Sequence, residues 1–245
     1  MMGVIVEGGL DPAPNLALDE ALVRVDQDGP LLRLWQTAPC VIGGRFQPLG
    51  EGVDLVACAR DGVPLVRRAS GGTAVYADPG SLNLTLVTAR ASRPFSLETV
   101  VASALAALGL PAEARSGEVT LDGATLCRTS TVWTYGVLLA TLTLHVSTPQ
   151  WLARTYVPDD GAPAGSLIEA GLRVGVTGVR NRLLATATAL AGQVHTRPPS
   201  RREAHWRDRL MLLRYGDPGW HLVGDLRADA DGTWMPGTSP GRDAR

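Results

Sequence analysis

The 245-residue chain contains no lysine, because all 23 of its Lys+Arg residues are arginine. It is rich in alanine, glycine, leucine and arginine, as expected from a genome whose base composition favours those codons. Such drift replaces lysine with arginine easily on exposed surfaces, where either charge serves. It does not easily remove a lysine that a reaction requires, because a guanidinium is wider and places its donors differently. Chemistry that depends on a lysine of this chain is therefore excluded.

Several other classes of feature are also missing. The three cysteines have no regular spacing, which excludes a disulfide framework and a cysteine zinc site. A formal net charge of −1 gives no electrostatic reason to expect binding to nucleic acid or an anionic membrane. No apolar run is long enough to span a bilayer, and residues 1–7 lack the pattern of a signal peptide. We expect a cytoplasmic protein with neither nucleic acid nor membrane as partner.

What is present is the pattern of a mixed α/β globular domain. Hydrophobic residues make up 45% and charged residues 19% of the chain, which is ordinary for a folded domain. Helical spacing predicts helices at 15–26 with Asn15 as N-cap, at 53–62, at 96–108 with Ser96 as N-cap, from 147 to 154, and at 179–192. Alternation and turn signals predict strands at 31–36, 40–43, 63–68, 82–88, 117–122, 131–136 and 138–146.

The last fifty residues differ in composition and predicted structure from the rest of the chain. Residues 196–200 resemble a linker, 201–214 form a predicted basic amphipathic helix, 220–223 a predicted short strand, and the remainder is rich in Gly, Asp and Pro. We therefore predict one domain over 1–195 and a short C-terminal extension over 196–245, partly disordered at its end.

The most informative stretch runs from Arg67 to Asn83. Two arginines, Arg67 and Arg68, precede the small-residue turn Ser70-Gly71-Gly72. Glycine lets backbone N–H groups approach an anion closely, and arginine supplies paired donors suited to carboxylate or phosphate. A Gly-Gly pair alone more often marks a plain hairpin turn. The whole constellation favours an anion-binding loop.

This stretch resembles the signature of the lipoate–protein ligase A family, Arg-Arg-x-Ser-Gly-Gly-Gly-Ala-Val-(Tyr/Phe)-His-Asp-x-Gly-Asn. Three further segments, within 15–20, 32–47 and 175–182, resemble other family motifs in the right order, so that the resemblance covers roughly the first three quarters of the chain. It implies a biotin/lipoate ligase-like catalytic domain of the α/β (α+β) class, in which helices flank a mixed, largely antiparallel sheet.

The resemblance also implies ligands, partners and site residues. The substrate would be lipoate or octanoate, with ATP and Mg if the chain is active as a ligase. The partner would be a lipoyl or carrier-domain protein, with a second chain as a possible completion of the site. Residues implied to bind substrate or nucleotide are Arg45, Arg67, Arg68, Ser70, Gly71, Gly72, Thr73, Ala74, Val75, Tyr76, Asp78 and Asn83.

The residues themselves leave alternatives open for several of these positions. Arg67 could instead pair with a carboxylate elsewhere, and Arg45 could simply cap a turn. Ser70 could serve only to initiate the turn through its hydroxyl. Asp78 and Asn83 could be turn residues without contact to a ligand.

The chain departs from the family where the family's chemistry resides. The family's catalytic lysine lies in the pattern Gly-Arg-Lys-Ile-x-Gly and touches both the acyl carboxylate and the nucleotide phosphate; here its place falls at Ala124 or Thr125. The third loop glycine is Thr73, the histidine before Asp78 is Ala77, and the later His-Gly-(Thr/Ser)-Leu-Leu is altered around 139–142. Losing one fixed donor at developing negative charge typically costs ~3–4 kcal/mol of transition-state stabilisation.

Two hypotheses follow. The first is a member of the family that binds the acid or its adenylate with ligase chemistry weakened or lost, a pseudo-enzyme. The second is an active ligase or transferase that replaces the lysine with an arginine such as Arg128, with a partner chain, or with Cys127 as a thioester nucleophile. No neighbouring histidine in the sequence would activate Cys127, and a buried cysteine is mostly an inert small hydrophobe, which favours a packing role. His145, alone on an alternating strand, is likewise expected to be a packing residue.

Overall fold

The computed structural model describes residues 1–7, 9–25, 27–89, 95–158, 165–224, 226–228 and 234–236. Its helices are α1 (Pro12–Leu22), α2 (Leu55–Asp61), α3 (Leu97–Ala106), α4 (Gln150–Tyr156), α5 (Val176–Ala191), α6 (Arg201–Leu210), continued by a π-helical turn (Met211–Tyr215), and α7 (Pro218–Val223). Its strands are β1 (Met2–Glu7), β2 (Leu31–Trp35), β3 (Cys40–Gly43), β4 (Leu65–Arg67), β5 (Val75–Ala77), β6 (Ser81–Ala89), β7 (Glu113–Arg115), β8 (Glu118–Leu121), β9 (Ala124–Thr134), β10 (Val137–His145), β11 (Val194–Thr196), β12 (Leu226–Ala228) and β13 (Trp234–Pro236).

The strands form one large sheet and two small ones. The large sheet has eight strands in the order β11-β1-β2-β6-β10-β9-β8-β7, in which β1 runs parallel to β2 and β11 and all other neighbours are antiparallel. Strands β4-β3-β5 form a three-stranded sheet, and β12 pairs with β13. The predicted mixed, largely antiparallel sheet flanked by helices is confirmed. None of the helices in the described ranges is long and apolar enough to cross a membrane.

The two faces of strand β6 belong to different parts of the core. Leu82, Leu84 and Leu86 pack in a cluster with residues of helices α3 and α5, while Val87 packs in the cluster that contains helix α1. Successive side chains of a strand point to opposite faces, so Asn83 lies on the same face as Val87. Every residue of β6 before Ala89 is buried, so this second face is closed from solvent although it carries polar side chains.

Helix α1 begins earlier than the sequence predicts. The N-cap is Asp11, whose carboxylate accepts a hydrogen bond from the Ala13 N–H, and Pro12 occupies the first turn, where a missing N–H costs nothing. Asn15 lies inside the helix, and its amide donates to the carbonyls of Gly9 and Asp11. The prediction of Asn15 as N-cap is therefore wrong, because Asp11 competes for that role and tertiary contacts use the Asn15 side chain.

Two other elements also differ from the prediction. Strand β9 runs unbroken from Ala124, so the segment between the predicted strands at 117–122 and 131–136 is strand and not loop; a turn at Asp122-Gly123 connects it to β8. The predicted strand at 220–223 lies in helix α7, which begins after Asp217, a cap that accepts from the Gly219 N–H. The cap and Pro218 together favour a helical turn over an extended segment.

The described part of the C-terminal extension packs on the remainder of the chain. Strand β11 pairs with β1, and the side chains of Arg214 and Tyr215 bond the carboxylate of Glu20 on helix α1. Strand β11 crosses the predicted boundary between 195 and 196, and the division into domain and extension stays a prediction. The predicted disorder of the chain's end falls on residues 229–233 and 237–245, outside the described residues.

Candidate functional site

A cavity of about 290 Å³ lies against the polar face of the large sheet. Three parts of the chain line it: the loop that follows β4, the floor formed by β6 and β10, and the β8–β9 hairpin. Of the predicted site residues, those that line it are Arg68, Gly72, Thr73, Ala74, Val75, Asn83, Cys127 and Arg128. The site is therefore assembled from strands that are far apart in sequence but adjacent in the sheet.

Arg68 organises the loop and also faces the cavity. Its guanidinium donates to the carbonyls of Ile42 (3.1 Å), Gly71 (2.6 Å) and Thr73 (2.8 Å) and to the Ser130 hydroxyl (3.0 Å). Only 6% of the residue is exposed, and it makes no ion pair with any carboxylate among the described residues. Burial, together with the neighbouring charge of Arg67, lowers the pKa of Arg68 to about 10.

Gly72 is needed where it stands. Its φ of +86° lies in the left-handed region, and a Cβ there would approach the Ser130 hydroxyl to 2.7 Å and the Arg68 guanidinium to 2.9 Å. A larger residue would push the loop away from the arginine that it surrounds. Thr73, at the place of the family's third glycine, is exposed and contributes its carbonyl to Arg68.

Arg67 points away from the cavity. Its guanidinium is fully buried and donates to main-chain carbonyls of two segments: Gly44 and Gln47 in the turn after β3, and His221 and Leu222 in helix α7. It thus joins the C-terminal extension to the turn that packs on the loop. These hydrogen bonds give Arg67 a structural role, and the predicted contact with substrate or nucleotide stays a prediction.

The remaining predicted loop residues lie behind the cavity wall. Ser70 is fully buried and shares a hydrogen bond with the Thr141 hydroxyl (3.0 Å), while Tyr76 stacks on Tyr156 with ring centroids 5.1 Å apart. Asp78 accepts hydrogen bonds from the Gly80 N–H and from hydroxyls, which fits the turn role left open for it. Gly71 binds Arg68 through its carbonyl.

Arg45 also stays outside the cavity lining. Its guanidinium lies over the Phe46 ring, 5.3 Å from the centroid.

The cavity floor consists of residues that the sequence reading mostly missed. Alternate residues of the two central strands, Asn83 and Thr85 on β6 and Thr141 and Thr143 on β10, line it. The signal was available, because the predicted strands at 82–88 and 138–146 alternate polar and apolar residues. Of these four residues, Asn83 is a predicted site residue.

A buried ion pair also lies beside the cavity. Arg33 on β2 is fully buried and donates to the carboxylate of Asp19 at 2.6 Å, and it also bonds Asn15. Asp19 lines the cavity, but its negative charge is matched by Arg33. The pair therefore leaves the charge of Arg68 unbalanced.

The β8–β9 hairpin occupies the place that the resemblance gives to the catalytic lysine. Thr125 lines the cavity and donates to the Glu118 carboxylate at 2.9 Å, while Ala124 is exposed and does not line it. The Arg128 guanidinium, which lines the cavity, lies 3.9 Å from the same carboxylate. Its side chain is 47% exposed, so this cation lies at the solvent-facing rim of the cavity.

Cys127 is held in its unreactive form. The residue is 5% exposed and belongs to the main hydrophobic cluster, and burial raises the pKa of its thiol far above the ordinary range. The structure thus supports the packing role favoured from the sequence. Cys40 and Cys58 are buried in β3 and α2, and all three thiols are free.

His145 is buried at the other end of the floor. Its Nε2 donates to the Tyr76 carbonyl at 2.7 Å, so the ring has a satisfied packing role while lining the cavity. Within the described ranges, no group of three or more His, Cys, Asp or Glu residues is arranged to hold a metal ion.

Comparison with known proteins gives the same family as the motifs. A family model for the lipoyl protein ligase A/B catalytic domain matches residues 11–184. A relative from Thermoplasma acidophilum, lipoate-protein ligase A subunit 1, is 40% identical over 114 residues, which is 43% of this chain and 42% of the relative. The chain thus aligns with less than half the length of that relative.

Solved structures share the fold over nearly the whole chain. A lipoate-protein ligase A bound with ATP superposes with a TM-score of 0.80 at 24% identity and covers 91% of this chain and 99% of its own. The bi-partite lipoate protein ligase of T. acidophilum, from a study that includes its E2 lipoyl domain, gives a TM-score of 0.79 at 25% identity over 94% of this chain and 99% of its own. The lipoate ligase-like fold predicted from the motifs is confirmed.

Proposed function

Because the chain belongs to the lipoyl protein ligase A/B catalytic domain family, we propose that it binds a lipoyl- or octanoyl-type acid, or its adenylate, in the 290 Å³ cavity. We further propose that its ligase chemistry is weakened or lost. The observation that carries the proposal is Arg68, a buried cation at the cavity wall without a carboxylate partner among the described residues.

A buried charge without a counter-charge is costly, and the lowered pKa of Arg68 reflects that cost. A carboxylate or phosphate in the cavity would supply the missing charge and accept donors of the guanidinium. An acidic ligand therefore fits this end of the cavity.

The apolar walls of the cavity fit the hydrocarbon chain of such a ligand. Leu16, Trp35 and Ile42 line the cavity with apolar surface next to the polar floor. Small-molecule sites combine mainly apolar walls with a few placed polar groups. An acid with a chain attached fits this arrangement, and lipoate is the acid in the names of the relatives that share the fold.

The residues of the β8–β9 hairpin are the reason to expect weakened ligase chemistry. The resemblance places the family's lysine at Ala124 or Thr125; the first is exposed, and the hydroxyl of the second is bonded to Glu118. No fixed ammonium is thus available between an acyl carboxylate and a nucleotide phosphate, and the nearby Glu118 carboxylate adds negative charge of its own. Among the described residues that line the cavity, the arginines are Arg68 and Arg128.

The alternative is an active ligase or transferase that fills the lysine's place differently. In one version Arg128 takes the role of the lysine, which is supported by its position in the cavity lining together with Thr125. A second chain is another version, since the T. acidophilum relative is a subunit and a structural neighbour is bi-partite. ATP and Mg are required only for activity as a ligase, and a lipoyl carrier domain is the proposed acceptor in either case. The location we propose is the cytoplasm.

Calorimetry with lipoate, octanoate and a stable acyl-adenylate analogue tests the binding step. We expect measurable affinity, and Arg68→Ala should weaken it by about 1.5–3 kcal/mol, the range for a hydrogen bond to a charged group. Arg60→Ala is the matched control, because Arg60 is an exposed arginine paired with Asp61 away from the cavity. A folded protein that binds none of the three ligands would refute the proposal.

Adenylation measured with ATP, Mg, lipoate and a carrier domain tests the chemistry. The unmodified chain should be slower than a lysine-bearing relative by a factor on the order of a hundred to a thousand. Thr125→Lys should raise the rate, and Ala124→Lys should do so less, because Ala124 does not line the cavity. Rapid adenylation by the unmodified chain would establish the alternative, and its loss in Arg128→Ala would assign the chemistry to that arginine.

A further inference from the structure

The amide of Asn83 has a polar atom without a partner in the cavity floor. The residue is 3% exposed, and its Oδ1 accepts a hydrogen bond from the Thr143 hydroxyl at 2.8 Å. Its Nδ2 is buried and has no hydrogen-bond partner. Most buried side-chain donors in proteins are satisfied, and leaving one unpaired is unfavourable, so this donor needs an explanation.

The strand register places the amide in a polar row. Asn83 pairs with Trp35 on β2 and with Thr143 on β10, and the neighbouring row across the sheet is Arg33, Thr85 and Thr141. Asn83, Thr85, Thr141 and Thr143 all line the cavity. The hydroxyls of Thr141 and Thr143 are bonded within the protein, so a plain hydrocarbon chain lying on the row would leave the Asn83 Nδ2 without a partner, which is unfavourable.

The row that contains Asn83 is separate from the groups that bind the loop. The Ser130 hydroxyl, which accepts from Arg68, and Thr141, which bonds Ser70, face each other across β9 and β10. Thr143 and Asn83 lie two residues further along their strands, roughly 7 Å away at the ordinary rise of a strand. An acid held at Arg68 therefore reaches Asn83 with its chain and not with its carboxylate.

We propose that the cavity selects an organic acid whose chain carries a hydrogen-bond acceptor, such as a keto or ureido carbonyl, and that Asn83 Nδ2 donates to it. The inference rests on the proposed binding of a chain-bearing acid in this cavity and specifies its class. Asn83 is then the specificity-determining residue, with Thr143 fixing the orientation of the amide through Oδ1. An acid with an unsubstituted saturated chain would leave the donor unpaired and would bind less tightly.

Calorimetry compares octanoate with a series of keto-octanoates in which the carbonyl is moved along the chain. We expect one keto acid to bind roughly three- to tenfold more tightly than octanoate, which corresponds to one net hydrogen bond. In Asn83→Leu, octanoate should bind more tightly than the keto acid, because the amide N–H donor has been replaced by an apolar side chain. Thr143→Val removes the hydrogen bond that orients the Asn83 amide but keeps the amide itself. This variant should therefore show a smaller difference in affinity between the keto acid and octanoate.

Thr120→Val is the matched control. Thr120 also has a buried polar atom without a partner, but it lies on β8 and does not line the cavity. It should leave the ligand preference unchanged, which separates selection from a general effect of removing a buried polar group. Octanoate binding as tightly as every keto acid would overturn the inference and leave the proposed function standing. Equal weakening of octanoate and keto acids in Asn83→Leu would overturn it as well, since the amide would then contact the acid group. Binding of no acid at all would refute the proposed function, and the inference with it.

Discussion

Replacing Arg67 by methionine should destabilise the protein more than any single change at its exposed arginines. The Arg67 guanidinium is fully buried and donates to carbonyls of Gly44, Gln47, His221 and Leu222. Methionine preserves much of the buried volume but has no N–H donor, so these carbonyls lose a partner together.

The expected loss is about 3–5 kcal/mol in the free energy of unfolding, as for other removals of one partner from a buried charged network. A simple sum of hydrogen bonds would overshoot, because carbonyls keep a second acceptor site and the structure relaxes. Removing Arg67 also relieves the repulsion that contributes to the lowered pKa of Arg68, and this offsets part of the loss. Since domains have about 5–15 kcal/mol of stability, the variant should fold but denature much more easily.

Urea denaturation of wild type and Arg67→Met measures the change, with Arg60→Met as control because the Arg60 side chain is 64% exposed. Hydrogen exchange should also show faster exchange at helix α7, including the Gly224 N–H that bonds the Trp220 carbonyl, since Arg67 joins α7 to the remainder of the chain. An Arg67→Met variant as stable as the Arg60→Met control would refute the assignment of Arg67 as a structural link.

Two further predictions concern the Cys127 thiol and the Glu203 carboxylate. Cys127 should resist alkylation in the native protein at pH 8 and react rapidly in denaturant, because burial raises the pKa of its thiol; fast native labelling, read by mass spectrometry, would revive the nucleophile hypothesis. Burial alone would raise the pKa of Glu203, but hydrogen bonds from Arg197, the Ser200 N–H and Gln27 outweigh it and lower the pKa to about 2. The ionised Glu203 therefore stabilises the fold fully above its ordinary pKa of 4.5, and this stabilisation is lost as the pH falls from 4.5 towards 2. In Glu203→Gln, this part of the decrease of the urea midpoint at acid pH should be absent.

Local signals predicted those elements whose chemistry lies within a few residues. Ser96 caps helix α3 as expected, because a serine before an apolar helical stripe satisfies the first turn without help from elsewhere. The polar and apolar alternation of 82–88 identified β6 to within a residue at each end. Arg68 lines the cavity, and its predicted contact with a ligand stays a prediction.

The prediction failed where two local signals compete. Asp11 and Asn15 are both good N-caps, and the sequence gives no reason to prefer the one that the structure uses. For 220–223 the prediction was a short strand, and the structure has a helix there, which Asp217 and Pro218 favour. The hydrogen-bond partners of Arg67 could not be predicted from the sequence, because two of them lie more than 150 positions away along the chain.

The sequence alone determined the family and the class of fold, because both depend on short motifs whose residues act on their immediate neighbours. It also determined that no lysine of this chain takes part in the chemistry. Only the tertiary structure decided that Arg68 faces the cavity while Arg67 faces the extension, although the two are adjacent. It alone placed Asn83 and Thr143 side by side, because cross-strand register joins residues 60 positions apart that no local pattern relates.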